Sequence, residues 1–138
     1  MNLNKAQIKA GCKELLHDFD GLISFAWDGG FNALLAEFPA RKQDEVRNVL
    51  TRHLNLTWDR KSMRSAPAIL KESAGELGDL RNNQLLFTTD PAASLLIFAA
   101  WWPWGNGERV SVRIAAPAAE SAPAEETGII AKLKGFFA

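Results

Sequence analysis

The chain has 138 residues, of which 47% are hydrophobic and 23% are charged, and its 16 basic residues equal its 16 acidic residues. This composition predicts one ordinary globular domain, and zero net charge excludes a whole-molecule field that attracts DNA or an acidic membrane. The single cysteine, Cys12, excludes an internal disulfide framework. Because the N-terminal residues lack the apolar core of a signal peptide, we expect a cytoplasmic protein.

Helical periodicity dominates the N-terminal half of the chain. Apolar residues recur at helical spacing over about residues 4–18 and again over 41–54, which predicts two amphipathic helices. The same spacing over 31–38 predicts a short helix that ends at Pro39. Residues 22–27 lie between glycines and are rich in Ile, Phe and Trp, so they predict a strand.

The C-terminal half has the composition of a β-meander. Three runs rich in β-branched and aromatic residues, Leu85–Thr89, Ser94–Trp102 and Arg109–Ile114, are separated by turn residues. A short strand over 55–58 and a helix beginning after Pro67 precede them. The predicted fold class is therefore α+β, with helices packed against an antiparallel sheet that contains a C-terminal three-stranded meander.

The composition changes near the C-terminus and divides the chain into three parts. Residues 1–116 are predicted to form the compact domain, and 117–126 form a linker rich in Ala, Pro and Glu. Residues 127–138 form a short amphipathic tip, whose apolar side is made of Ile129, Ile130, Leu133, Phe136 and Phe137. Such a tip is predicted to dock on a partner's groove, on lipid headgroups or on the chain's own sheet.

The last hairpin allows a prediction of register. If Trp102 pairs with Glu108 across a five-residue loop, Trp101 lies opposite Arg109 within reach of a cation–π contact. The strand before the loop is apolar on both sides, whereas the strand after it alternates. We therefore expect Ile97 and Trp101 to be covered by a helix of this chain, a second subunit, the tip or a flat ligand.

The residues that this hairpin offers to a ligand or partner combine indole rings with guanidinium groups. They are Trp101, Trp104, Arg109 and Arg113. Such a face is suited to stacking on a flat ligand or on the bases of a single strand. A basic segment over 41–64, with seven basic and three acidic residues, is a further candidate for phosphate contacts or else a solvated helix face.

Other motifs give little support to catalysis. The string LLHDFDGL is similar to the start of a haloacid-dehalogenase-type phosphatase, which implies Asp18 as nucleophile and Asp20 as acid/base beside a magnesium ion. A helical stripe precedes it, which favours a helix end followed by a turn. His17 and His53 are not at metal-ligand spacing with Cys12, and no phosphate-binding glycine motif is present. We therefore predict no cofactor and no metal.

These observations favour a non-enzymatic interaction or adaptor protein. Its expected partner is another protein or a second copy of the chain, with peripheral membrane contact through the tip as an alternative. The second hypothesis is a binding module for a small ligand or a single-stranded nucleic acid, which would use the aromatic and arginine face of the hairpin. A small enzyme of unknown reaction is the third.

Overall fold

A computed structural model describes residues 4–93 and 95–116 of the chain. Helices flank a six-stranded antiparallel sheet, which confirms the predicted α+β class. The α-helices are α1 (Lys5–Gly11), α2 (Lys13–Phe19), α3 (Gln43–His53) and α4 (Ala68–Ala74). Short 3₁₀ helices lie at Ala40–Lys42, Ser62–Ser65 and Gly75–Gly78. The strands are β1 (Ala26–Asp28), β2 (Ala33–Pro39), β3 (Leu56–Trp58), β4 (Leu85–Thr88), β5 (Phe98–Pro103) and β6 (Arg109–Ala115).

The sheet has the strand order β1-β2-β6-β5-β4-β3, and every neighbouring pair is antiparallel. The strands β4, β5 and β6 are therefore neighbours in chain order, which confirms the predicted meander. The hairpin β1–β2 extends the sheet beyond β6, because β2 pairs with β6. The outermost strands of the described sheet, β1 and β3, have only three residues each.

One face of the sheet, here called the front face, lies beneath α1, α2 and α3. Helix residues such as Ile8, Phe19 and Leu50 are completely buried against it. The strands contribute a continuous apolar layer to this core, made of Leu34, Phe38, Phe87, Ala99, Trp101, Val110, Val112 and Ile114. Helices of the same chain therefore cover Trp101, and Ile97 packs against the same cluster.

The opposite face, here called the back face, is covered over part of its width. Residues of α4 and the two 3₁₀ helices that flank it, among them Met63, Leu70 and Leu77, pack against Leu86 and Phe98. This cover lies over β4 and part of β5 and reaches Ala115 of β6 and Ala33 of β2. The side chains that β6 sends to this face include charged and polar ones, since its apolar residues alternate towards the front.

The two predicted amphipathic helices are confirmed, with one interruption. The first is divided into α1 and α2 by Cys12, whose φ of −109° and ψ of 23° depart from helical values. Cys12 and Leu15 are nevertheless buried on the predicted stripe. The helix predicted after Pro67 is α4, and it ends at Gly75, whose φ of +53° favours glycine.

Two predictions for residues 22–38 are wrong. Only residues 26 and 27 of the predicted 22–27 strand lie in β1, which ends at Asp28, because the N–H groups of Leu22 and Ile23 donate to the carbonyl of Phe19 at the end of α2. The predicted helix over 31–38 is largely strand β2. This strand is buried on both faces for part of its length, so apolar residues occupy odd and even positions and imitate helical spacing.

The predicted register of the last hairpin is also wrong. Trp101 pairs with Val112 and Trp102 with Ser111, a shift of three residues from the expected pairing of Trp102 with Glu108. The prediction placed Pro103 in the loop, whereas Pro103 belongs to β5 and Trp104 donates its N–H to the carbonyl of Arg109. The loop therefore has four residues, 105–108, and an odd shift exchanges the faces of one strand relative to the other.

Candidate binding face

The observed register creates a cluster of aromatic and charged side chains on the back face. Direct neighbours across the three strands are Glu37 on β2, Ser111 on β6 and Trp102 on β5. We call the group around them the hairpin patch, which consists of Glu37, Trp102, Trp104, Arg109, Ser111 and Arg113. The patch lies at the end of the sheet where β5 turns into β6.

At one side of the patch, Arg113 is held between two aromatic rings. Its guanidinium carbon lies 4.7 Å from the centroid of Phe31 and 4.6 Å from that of Trp102. Its Nε donates to Asp28 Oδ2 at 2.9 Å, and this hydrogen bond is the main reason that the pKa of Asp28 lies below its usual range. The side chain of Arg113 is only 15% exposed. These contacts fix the arginine and tie the β1–β2 turn to the hairpin.

At the other side of the patch, Trp104 is exposed but held in one orientation. Its Nε1 donates to Ser111 Oγ at 2.9 Å, and that hydroxyl donates to Glu37 Oε2 at 3.3 Å. The guanidinium of Arg109 lies 5.6 Å from the Trp104 ring centroid. Trp104 is 38% exposed, although most large apolar side chains of the described residues are covered.

The charges of the patch and its supporting residues balance. Arg109 and Arg113 carry two positive charges, and Glu37 and Asp28 carry two negative charges. Because Arg113 is paired with Asp28, the patch offers little free positive potential. Its surface is therefore aromatic and hydrogen-bonding rather than basic.

The structure separates the four predicted hairpin residues. Trp104, Arg109 and Arg113 share the back face, whereas Trp101 lies in the front core and is only 1% exposed. The expected contact between Trp101 and Arg109 is wrong, because the shifted register points them to opposite faces. Arg47 of α3 is the cation over Trp101, with 5.0 Å between its guanidinium carbon and the ring centroid.

Three patch residues, Glu37, Trp102 and Ser111, were not among the predicted site residues, and Trp102 is the aromatic one. Trp102 lies on the sheet face that the predicted register gave to Trp101, opposite Ser111 and in contact with Arg113. Its Nε1 is buried, and no hydrogen-bond acceptor meets it within residues 4–93 and 95–116. The other tryptophans are divided between the cores, since Trp27 packs against the front cluster and Trp58 against the back cluster. The run of tryptophans in the hairpin was the only sequence feature that pointed to Trp102.

The reactive side chains near α2 have structural partners. Asp18 lies within α2, so it does not follow a strand as in the dehalogenase-like motif. Its Oδ2 lies 2.6 Å from His53 Nε2, and this bond is the main cause of its lowered pKa. Cys12 lines a cleft of about 380 Å³ with His53 and Ile97, but burial raises the pKa of its thiol to about 11. The thiol is therefore protonated at neutral pH.

The part of the chain that the structure describes holds neither a cluster of metal-ligating side chains nor a helix that could span a membrane. It contains no group of three or more His, Cys, Asp or Glu side chains placed to hold a metal ion. None of its helices has the length and hydropathy to cross a membrane. The predicted linker, 117–126, and the predicted tip with Ile129, Ile130, Leu133, Phe136 and Phe137 lie outside the described residues. They stay predictions.

The fold and the patch together define an α+β domain with one helix-covered sheet face and one partly covered face that carries an aromatic and arginine surface. No protein-family model, curated protein or solved structure matches the chain.

Proposed function

We propose that the protein is a non-enzymatic interaction protein that binds a protein partner through the hairpin patch. The observation that carries this proposal is Trp104, an exposed indole whose Nε1 is fixed by Ser111 and whose ring lies beside Arg109. Tryptophan and arginine are enriched among residues that dominate protein–protein binding energy. A side chain held in place before binding also loses less conformational entropy when a partner covers it.

The balance of charge favours a protein over a polyanion at this patch. Binding of a nucleic-acid strand depends largely on unpaired cations that contact phosphates. Here Arg113 is engaged by Asp28, and Glu37 lies beside the exposed indole. A partner surface with apolar and hydrogen-bonding groups fits this combination better.

The state of the reactive groups supports a non-enzymatic role. The thiol of Cys12 is protonated at neutral pH, and Asp18 links α2 to His53 of α3. Neither group is poised as a nucleophile. The proposal retains the predicted cytoplasmic location, in which an unpaired cysteine is common.

A crosslinking experiment tests the partner proposal. A photoreactive phenylalanine analogue is placed at Trp104 in the full chain, and a matched control carries it at Ile69, which is 43% exposed and is the other exposed large apolar residue among those that the structure describes. We expect a protein that crosslinks from position 104 and not from 69. Light scattering of the purified chain establishes whether that protein is a second copy.

The partner that the crosslink identifies is then purified on its own, and its binding to the chain is measured by calorimetry. Trp104→Ala is expected to weaken it by about 2 kcal/mol, or roughly thirtyfold, while Ile69→Ala leaves it unchanged. Equal affinity for the wild-type chain and Trp104→Ala overturns the proposal. In the full chain, Phe136→Ala with Phe137→Ala measures separately what the predicted tip contributes.

A further inference from the structure

A second surface, at the β3 and β4 end of the sheet, gathers basic side chains that are distant in sequence. A groove of about 580 Å³ lies between the turn after β3 and the turn before β4. Its lining residues are mostly basic or carry amides: Asp59, Arg60, Lys61, Arg64, Arg81, Asn82, Asn83, Gln84 and Leu85. A second cleft of about 460 Å³ also includes Arg60 and Arg64 and adds Lys71 and Asp79. We call the two clefts together the basic groove.

Local hydrogen bonds fix the walls of the basic groove. Asp59 and Ser62 exchange bonds, with Ser62 N donating to Asp59 Oδ1 at 2.7 Å and Asp59 N donating to Ser62 Oγ at 2.9 Å. On the other wall, Arg81 N donates to the Gln84 side chain at 2.8 Å. Lys71 Nζ donates to the carbonyl of Arg64 at 2.6 Å. The cations therefore lie on hydrogen-bonded segments, with Lys71 in α4 and Arg64 in the 3₁₀ helix Ser62–Ser65.

The positive charge of the basic groove is not neutralised by ion pairs. Five basic side chains face two acidic ones, which gives a local net charge of +3. Within residues 4–93 and 95–116, the ion pairs involve Arg52, His53 and Arg113, and none involves a groove cation. The carboxylate of Asp59 is engaged by the N–H of Ser62, which is the main cause of its lowered pKa. An anion can therefore bind without displacing a carboxylate, although Lys71 and Arg60 also donate to the Arg64 carbonyl and to Asn82 Oδ1.

The shape and lining of the basic groove indicate the class of anion. Small-ligand pockets are mostly apolar and enclosing, whereas both clefts are open and their apolar side chains are Leu85 in the larger one and Met63 and Leu80 in the smaller one. Positive charge continues from one cleft to the next through Arg60 and Arg64. A nucleic-acid strand presents phosphates in series, guanidinium groups bind phosphate oxygens in pairs, and side-chain amides can bond to bases or sugars.

We propose that the basic groove binds the sugar–phosphate backbone of a single-stranded nucleic acid. The site is separate from the hairpin patch in both residues and chemistry. Its cations are Arg60, Lys61, Arg64, Lys71 and Arg81. Lys71 and Arg81 lie outside the basic segment 41–64 that the sequence analysis singled out. The protein then has one surface for a protein partner and another for a nucleic acid.

Fluorescence anisotropy with a labelled mixed-sequence 20-nucleotide strand tests this assignment on the full chain. The test variant is Arg60→Gln with Arg64→Gln and Arg81→Gln. The control removes three exposed charges from the front side, Lys5→Gln with Lys9→Gln and Lys13→Gln, so that the net charge of the two variants is equal. Thermal melting verifies that both variants are folded.

We expect the wild-type chain to bind with a Kd in the micromolar range at about 50 mM salt, and the groove variant to bind about tenfold more weakly or worse. The slope of log K against log salt should become less negative by about 2, since each lost contact to a single strand accounts for roughly 0.7. The control variant should stay within about twofold of the wild type, and Trp104→Ala should also bind normally.

Three results overturn the assignment. Wild-type protein that does not bind the strand at low salt has no such site. Equal weakening by the groove and control variants shows that binding follows overall charge. Displacement of the strand by ATP at the same phosphate concentration identifies a free nucleotide as the ligand.

Discussion

The two sides of strand β6 have opposite surroundings although they belong to the same seven residues. Val110, Val112 and Ile114 point to the front face and are at most 2% exposed beneath the helices. Arg109 and Arg113 point to the back face and are half-buried among aromatic rings. The alternation of apolar and charged residues along this strand therefore corresponds to one sheet face that the protein covers and one that it leaves partly open.

The adjacent residues Trp101 and Trp102 show the same contrast with one residue type. Trp101 packs edge-to-face against Phe38 and Phe87 in the front core. Trp102 meets Phe31 at a centroid distance of 5.4 Å and contacts Arg113. The first is part of the closed core, and the second is at the boundary between the back core and the hairpin patch.

Truncation of each tryptophan provides the strongest test of this contrast. Trp101→Ala is expected to lower the free energy of unfolding by about 3–5 kcal/mol, because it leaves a large cavity in the front core. Trp102→Ala should cost about half as much, since its ring is less buried and the variant also removes an unpartnered buried N–H. Urea denaturation compares them, and equal losses contradict the distinction between the faces.

An effect of intermediate size is expected from the arginine that joins the patch to the β1–β2 turn. Arg113→Ala should lower the free energy of unfolding by about 2 kcal/mol at pH 7, because it removes two cation–π contacts and the partner of Asp28. Arg113→Lys should recover part of this loss, since it keeps the charge without the planar donor geometry. Full recovery by lysine contradicts a role for stacking.

The same ion pair predicts a dependence on pH. The folded pKa of Asp28 lies below its ordinary value of 3.8. Its ionised form therefore stabilises the fold above pH 3.8, and this contribution disappears as pH falls through the lower folded pKa. The difference in unfolding free energy between the wild type and Asp28→Asn should accordingly shrink below about pH 4. Urea titrations between about pH 2.5 and 6 measure it, and a constant difference contradicts the assignment.

The smallest effect on stability is expected at Trp104. Trp104→Ala removes an exposed ring and its hydrogen bond to Ser111, so the free energy of unfolding should fall by about 1 kcal/mol or less. Ile69→Ala on the cover of the back face should be similar in size. A loss at Trp104 comparable to that at Trp101 shows that the patch is part of the core rather than a surface.

Sequence periodicity correctly predicted helices and strands that have one buried and one exposed side. It gave the wrong type of element for a strand that is buried on both sides. The stripe of Ile8, Cys12 and Leu15 and the alternation of β6 are one-sided patterns, and both predictions are confirmed. The strand β2 has buried residues on both sides, so its apolar spacing fitted a helix equally well. Tertiary pairing with β1 and β6 decided its conformation.

The candidate sites depended on information that the sequence carried only weakly. The identity of Trp104, Arg109 and Arg113 was predicted, but their grouping depended on a loop length that Pro103 made ambiguous. The basic groove could not be assembled from the chain, because Lys71 and Arg81 lie outside the basic segment. Only the fold brings the turn after β3 beside the turn before β4.

The three-residue length of the outermost strands restricts how another protein can recognise this domain. A partner that extends the sheet by adding a strand requires a row of free backbone N–H and C=O groups. Neither β1 nor β3 offers more than three residues for such pairing. Recognition through β1 or β3 themselves therefore depends on side chains, and the shortness of these two strands opposes fibrillar self-assembly through them.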